Sequence, residues 1–287
     1  TNIKNYHKTW YVPNNMAICL SGDFDPDQMI ETINKYFGHL KPNPNLPKLP
    51  VTHESPIKAP VIKEVLGVDA ENVTLGWRFP GAASPDQDLL NLTGEIINNG
   101  KAGLLDIDLV QQQKVLSCYY GMSDYNAFVI SGRPKQGQTL DEVKDLFLAE
   151  IDKLKKGEFD EGLLEAAINN YKLMQMYRMD RNDGRADMFV SSFIDGVDWK
   201  DEVASLDRMS KVTKQQIVDF ANKYFGDNYA LIYKRQGKDP NEKKIDKPKI
   251  TPIVMNRDSS SLFLKEIQAS KVAPIEPVFL DYSKDLQ

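Results

Sequence analysis

Metal chemistry needs histidines about a helical turn apart. This sequence has three, His7, His39 and His53, none with a second His or Cys at such spacing. His53-Glu54 falls in a proline-rich stretch that offers a metal no rigid scaffold, so all three read as surface residues. Nucleophilic chemistry has no better footing. There is no Gly-x-Ser-x-Gly, no Cys-x-x-Cys and no phosphate-cradling glycine loop, and Gly94 and Gly100 stand isolated. The carboxylate-rich run Asp141–Asp152 fits the solvated face of an amphipathic helix rather than an acid/base pair. Met174, Met176, Tyr177 and Met179 read as a thioether-filled core or helix interface, not a cofactor groove. Asp239, Glu242 and Asp246 interrupt the lysine run Lys238–Lys249, which makes it a solvated tether. No catalytic and no metal-binding residue is nominated, and the substrate-binding residues stay unknown.

The elements that would position any site follow from periodicity and punctuation. Residues 15–22 form an apolar run between Pro13-Asn14 and Gly22-Asp23 that reads as a buried strand. Asp25-Pro26-Asp27-Gln28 opens a helix with Met29, Ile30, Ile33, Tyr36 and Phe37 on one face, and Gly38 ends it. Prolines at 42, 44, 47, 50, 56 and 60 then forbid regular structure and mark a semi-rigid linker. Strands follow at 61–68 and 73–79. Ser84-Pro85-Asp86-Gln87 opens a helix with Leu89, Leu92, Ile96 and Ile97 inward, stopped by Asn98-Asn99-Gly100. A short helix spans 104–110, and strands span 115–122 and 127–133, joined at Asp124-Tyr125-Asn126.

Thr139 with Glu142 caps a helix lined by Leu140, Val143, Phe147, Ile151 and Leu154 as far as Gly157. A long helix over 160–179 breaks at Asn182-Asp183-Gly184, and shorter ones cover 186–194 and 202–208. Thr213 with Gln216 caps the last helix before a strand at 229–233. Beyond the lysine run, short β-like pieces are expected at 250–254, 262–267 and 278–282. The order β-β-α-β-β-α-α-β, with helices in blocks, predicts an α+β fold: a mostly antiparallel sheet with helices packed on one face.

The chain has 287 residues, 41% of them hydrophobic and 27% charged, which is the balance of a globular protein. No apolar run approaches the ~20 residues a membrane span requires. A net charge of −5 argues against a nucleic-acid partner. Cys19 and Cys118 each lie in an apolar, strand-like run and read as buried reduced thiols.

Five residues occur twice, Asn34-Lys35-Tyr36-Phe37-Gly38 and Asn222-Lys223-Tyr224-Phe225-Gly226. The strand Asn228–Tyr233 likewise echoes Asn15–Leu20. Repetition at one domain length predicts a duplicated α+β unit, with only the tail of the first copy in this chain.

Taken in order, these pieces resemble a family. The run from Tyr11-Val12-Pro13-Asn14-Asn15-Met16 to Gly22-Asp23-Phe24-Asp25 is similar to the Y-x-P-N-N-M…G-D-F-D segment of the pitrilysin/insulinase zinc metallopeptidases, the inverzincins. In that family the segment closes the first, metal-bearing domain. Residues 72–235 resemble the following domain in their succession of elements, including Phe79-Pro80-Gly81, Tyr119-Tyr120 and Val212-Thr213-Lys214-Gln215-Gln216-Ile217. Val110-Gln111-Gln112-Gln113-Lys114 departs from the Arg/Glu-rich lead-in common in the family.

The resemblance implies a clamshell of related α+β domains closing on an extended peptide, with zinc held by His-x-x-Glu-His plus a distal Glu. None of that motif occurs in this sequence, so it transfers no catalytic residue and places zinc in a domain upstream. The implied partition is 1–40 as the tail of the metal-bearing domain, 41–60 as linker, 61–237 as a complete non-catalytic domain and 238–287 as an inter-half linker. The implied function is a chamber-forming, substrate-binding domain of a peptide-degrading zinc endopeptidase, inactive alone and partnered by the rest of its parent chain. The alternative is the same domain in a metal-free structural or assembly homologue; an unrelated peptide-binding module is the third reading. The apolar face of residues 6–38 is expected to dock on the main domain or to drive self-association. Compartment is unknown, and a leader on the parent would send it to the periplasm or outside the cell.

Overall fold

A computed structural model describes residues 2–48, 54–123, 127–240, 246–247, 249–250 and 259–271. The chain divides into two units, Thr1–Pro240 and Asn241–Gln287. The first contains the sheet, whose strands are β1 (Val61–Gly67), β2 (Asn72–Arg78), β3 (Ser117–Ser123), β4 (Ala127–Arg133) and β5 (Tyr229–Gln236). They lie in the order β1-β5-β2-β4-β3. Only the β1–β5 pair is parallel, and the other pairs are antiparallel.

Alternation decides which face is covered. Val73, Leu75 and Trp77 of β2, Phe128 and Ile130 of β4, and Tyr229, Leu231 and Tyr233 of β5 are buried on one side. Three helices close over them: α3 (Gln87–Ile97), α4 (Leu140–Lys156) and α8 (Lys214–Tyr224). Each contributes an apolar stripe, as in Val143, Phe147, Ile151 and Leu154 of α4. The α+β expectation, helices on one face of a mostly antiparallel sheet, holds.

Both full capping boxes form. Thr139 Oγ1 accepts from Glu142 N at 3.2 Å while Glu142 Oε2 accepts from Thr139 N at 2.7 Å. Thr213 and Gln216 exchange the same two bonds at 3.3 and 2.9 Å. Gly157 ends α4 at φ +71°, the left-handed conformation that a glycine C-cap supplies. At α3 the expected capping box does not close. Asp86 is the N-cap without a side-chain cap bond, and Ser84 Oγ accepts from Asp86 N instead, at 3.2 Å.

Five expectations are corrected. Residues 16–22 form no strand: a 3-10 turn at Pro13–Asn15 precedes an extended run with Met16, Ile18 and Leu20 exposed. A strand exists only beside another, and no strand pairs with this run among the described residues. Cys19 and Cys118 are both partly exposed rather than buried. The break after α5 (Glu161–Asp180) falls at Arg181, in extended conformation, and Asn182-Asp183-Gly184 is the first turn of α6 (Asn182–Asp195). Met174, Met176, Tyr177 and Met179 are exposed, because burial along α5 is confined to Leu164, Ala167 and Ile168 in its first half. In the second unit, residues 262–267 belong to a helix, α9 (Leu262–Ala269), where Ser261 Oγ accepts from Leu264 N at 3.1 Å and caps it. The pieces expected at 251–254 and 278–282 and the turn at 124–126 lie outside the described residues.

Residues 2–38 carry α1 (Asn2–Trp10) and α2 (Pro26–Phe37). Asp25 caps α2 by accepting from Gln28 N at 2.9 Å. The segment touches the main body where Arg185 Nε donates to Ser21 Oγ at 2.8 Å. Ile30, Tyr36 and Phe37 of α2 nevertheless remain exposed.

Candidate functional site

No group of three or more His, Cys, Asp or Glu among the described residues is arranged to hold a metal ion. His7 stacks on Tyr11 with ring centroids 4.7 Å apart, and His39 is exposed. His53 lies outside the described residues. The acidic run in α4 is solvated apart from Glu150, which is buried.

Glu150 belongs to a cluster that joins α4 to the π-helical segment Asp106–Gln111, where the sequence suggests only a short helix. Lys153 Nζ donates to Asp108 at 2.6 Å and to Glu150 Oε1 at 2.9 Å. The Lys153 hydrogen bond holds the Asp108 carboxyl below its usual range, while burial raises that of Glu150. Next to them Asp106 accepts from Asn98 Nδ2 at 2.6 Å, Asn99 N at 2.9 Å and Gly103 N at 3.0 Å, pinning the turn after α3. Every carboxylate of this cluster has a structural use.

Burial pushes the Cys118 thiol up to about 12, with Asp106 and Glu150 reinforcing it. The folded state therefore holds this proton more tightly than the unfolded chain does. The stability it contributes is full below the ordinary value of 9.0 and fades as pH rises towards 12. Both thiols are partly exposed, but at pH 8 an aromatic disulfide reagent should label Cys19 quickly and Cys118, whose thiol is held protonated, much more slowly. Two fast thiols at pH 8 would contradict the packing around Cys118.

Two surfaces have the form of binding sites. The first is a cavity of about 710 Å³ between α3, α5 and α7 (Trp199–Met209). On its floor Asp88 accepts from Arg208 Nε at 2.6 Å and from Ser205 Oγ at 2.7 Å. Burial raises the Tyr171 phenol in its wall, which stays neutral at any physiological pH. A carboxylate clamped by a guanidinium and a hydroxyl, beside a neutral phenol, offers hydrogen-bonding groups to a polar ligand. At the nearby start of α3, Lys223 Nζ donates to Asp86 at 2.8 Å and, with Tyr224, holds that carboxyl below its usual range.

The second surface is the face of the sheet opposite the helices. Thr74 and Ser131 hydrogen-bond across it at 2.6 Å, while Val61, Val65, Tyr119 and Ile232 are exposed on it. Sequence reasoning named neither surface. The cavity depends on contacts more than a hundred residues apart, such as Asp88 with Arg208. The open face was readable only as the off-beat residues of each strand.

Over residues 1–171 the chain matches the family model described as the peptidase M16 inactive domain. It is 26% identical over 247 residues to the zinc protease PqqE of Helicobacter pylori (strain ATCC 700392 / 26695), covering 79% of this chain and 52% of that protein. Among solved structures it resembles a protease from Helicobacter pylori at TM-score 0.76 and 21% identity, over 82% of this chain and 58% of that one. It resembles the peptidase M16 inactive domain from Pseudomonas fluorescens at TM-score 0.65 and 14% identity, over 76% and 53% of the two chains. At these identities the structural likeness concerns the fold. The chain spans about half the length of the relatives it matches.

Proposed function

Because the chain belongs to the M16 peptidase inactive-domain family, we propose that it forms the wall of a peptide-holding chamber in a zinc-dependent endopeptidase. The catalytic zinc belongs to another domain of the parent, since the described residues here do not fit it. Residues 1–40 are then the tail of a related neighbouring domain, 41–60 a linker, 61–237 the wall domain and 238–287 the connection to the next half.

The observation that carries this reading is the sheet with helices on one face only. A sheet needs one covered face to be stable, and the other is free to line a cavity. Here that face carries exposed Val61, Val65, Tyr119 and Ile232, apolar surface suited to an extended peptide. The rest of the parent chain is the natural neighbour of the exposed apolar side of α2.

On this reading the purified chain with added zinc binds an unstructured peptide but does not cut it. Incubation with a quenched fluorescent peptide library, with and without chelator, tests the second point, and fluorescence anisotropy the first. Cleavage that the chelator abolishes would refute the assignment of zinc to another domain. Absence of binding to any peptide would refute the chamber-wall role.

A further inference from the structure

The strand registers sort the charged residues of the sheet by face. On the uncovered face stand Lys63 of β1, Arg78 of β2, Arg133 of β4 and Lys234 of β5, and no strand contributes a carboxylate there. The one strand carboxylate, Glu64, belongs to the helix-side register and pairs with Arg235 at 3.1 Å. A face whose strand charges are all cationic is unexpected on a chain of net charge −5. Arg78 is partly spoken for, since it donates to Glu54 at 2.9 Å and to the Ser55 carbonyl at 2.7 Å. The Lys234 ammonium rests on neutral acceptors, the carbonyls of Asp69 and Ala70.

Between Arg78 and Lys63 the floor is apolar, and the Thr74–Ser131 hydroxyl pair lies between it and Arg133 and Lys234. Val61, Ala230, Gly76, Val129 and Gly121 stand side by side in one row across all five strands. Ile232 and Tyr119 border the row, 38% and 61% exposed. A side chain added at Gly121 would meet nothing within 4 Å, so nothing in the described chain fills that end of the row.

We propose that this face docks an extended peptide segment bearing acidic side chains. Its backbone crosses the strands over the row from Val61 to Gly121 and the adjoining row from Lys63 to Tyr119, and its carboxylates meet Lys63, Arg133 and Lys234. The proposal rests on the chamber-wall reading and adds the charge class of the peptide. The outer strands of a five-stranded sheet are ~19 Å apart, the length of about six extended residues. Cations beside an apolar floor match a chain whose side chains alternate between apolar and acidic. A nucleic acid fits poorly, because four scattered cations cannot track a backbone with one charge every few ångströms.

The test uses the full chain and three fluorescein-labelled octapeptides, (Glu-Val)4, (Ser-Val)4 and (Lys-Val)4, followed by anisotropy at 50 and 500 mM NaCl. The acidic peptide is expected to bind roughly tenfold or more tightly than the neutral one, with the advantage reduced at high salt. The double variant Lys63→Glu/Arg133→Glu should remove that advantage. Lys172→Glu/Lys200→Glu, the same change of net charge on exposed helix positions, should retain it. Unchanged circular dichroism and melting temperature in both variants establish that the fold is intact. Equal binding of the three peptides, or equal losses in the two double variants, overturns the acidic preference and leaves peptide holding in place. Failure of all three peptides to bind overturns both.

Discussion

Trp77→Ala is expected to lower the melting temperature by roughly 10–20 °C, the largest effect of any single change considered for this fold. Trp77 is 1% exposed near the C-terminal end of β2, and its indole meets Phe225 at 5.2 Å and Tyr229 at 5.4 Å between ring centroids. Its Nε1 donates to the Gly226 carbonyl at 3.0 Å, tying the sheet to the loop that leaves α8. Truncating a buried tryptophan costs about 3–5 kcal/mol in transfer and cavity terms. Leaving the Gly226 carbonyl without its donor adds about 1 kcal/mol or more. In a chain of this size each kcal/mol moves the midpoint by roughly 2–4 °C, which gives the expected shift. Trp77→Phe keeps most of the apolar volume and loses the hydrogen bond, so it should fall between wild type and Trp77→Ala. Thermal melts followed by far-ultraviolet circular dichroism read both variants. A shift under about 3 °C for Trp77→Ala would mean that this ring cluster does not hold helix and sheet together.

The same cluster explains why the repeated pentapeptide was the most informative string in the sequence. In the second copy each residue has a use. Asn222 Nδ2 donates to the carbonyls of Lys155 and Val218 at 2.8 and 2.9 Å. Lys223 and Tyr224 bind Asp86, Phe225 fills the core, and Gly226 offers the carbonyl that Trp77 takes. In the first copy Tyr36 and Phe37 are exposed, and Lys35 lies over its neighbour Tyr36. Identical residues reach different ends because the second copy has a sheet beside it. The failed strand at 15–22 has the same cause: the apolar pattern was present, and among the described residues no strand pairs with it. Local signals read well where their physics is local, as in the boxes Thr139–Glu142 and Thr213–Gln216 and the glycine cap Gly157.

What could not be read was long-range. Asp88 stands in the first turn of α3, and only the fold reveals that Arg208 and Ser205 clamp it in a cavity. The cations of the open face are spread from Lys63 to Lys234, so no window of sequence contains a basic patch. Registers bring them to one side, and register depends on pairing between distant strands. The identity of the domain was legible for the opposite reason. An ordered series of weak local matches accumulates along the chain even when no single residue performs chemistry.

Gly132→Ala should destabilise the protein by about 2–3 kcal/mol, whereas Gly121→Ala should stay within about 0.5 kcal/mol of wild type. Both glycines are strand residues, and neither needs a left-handed backbone. They differ in what lies over them. At Gly132, on the helix face of β4, an added Cβ would stand 2.5 Å from Phe147 Cζ, 2.9 Å from the Ser117 carbonyl oxygen and 3.1 Å from Cys118 Cβ. The phenyl ring of α4 packs directly on this stretch of backbone. It is fully buried and cannot swing away, and the β3 backbone behind the second contact cannot yield without breaking the β3–β4 ladder. Gly121 faces the uncovered side, and a methyl there meets no atom within 4 Å. The expected melting shifts are therefore roughly 5–10 °C downward for Gly132→Ala and about zero for Gly121→Ala. Pairing Gly132→Ala with Phe147→Leu supplies the deciding comparison. If the clash with the ring sets the cost, the double variant should be more stable than the sum of the two single changes predicts. Additive losses would place the cost in the β3 backbone, and a neutral Gly132→Ala would mean that α4 does not sit on β4 at this point.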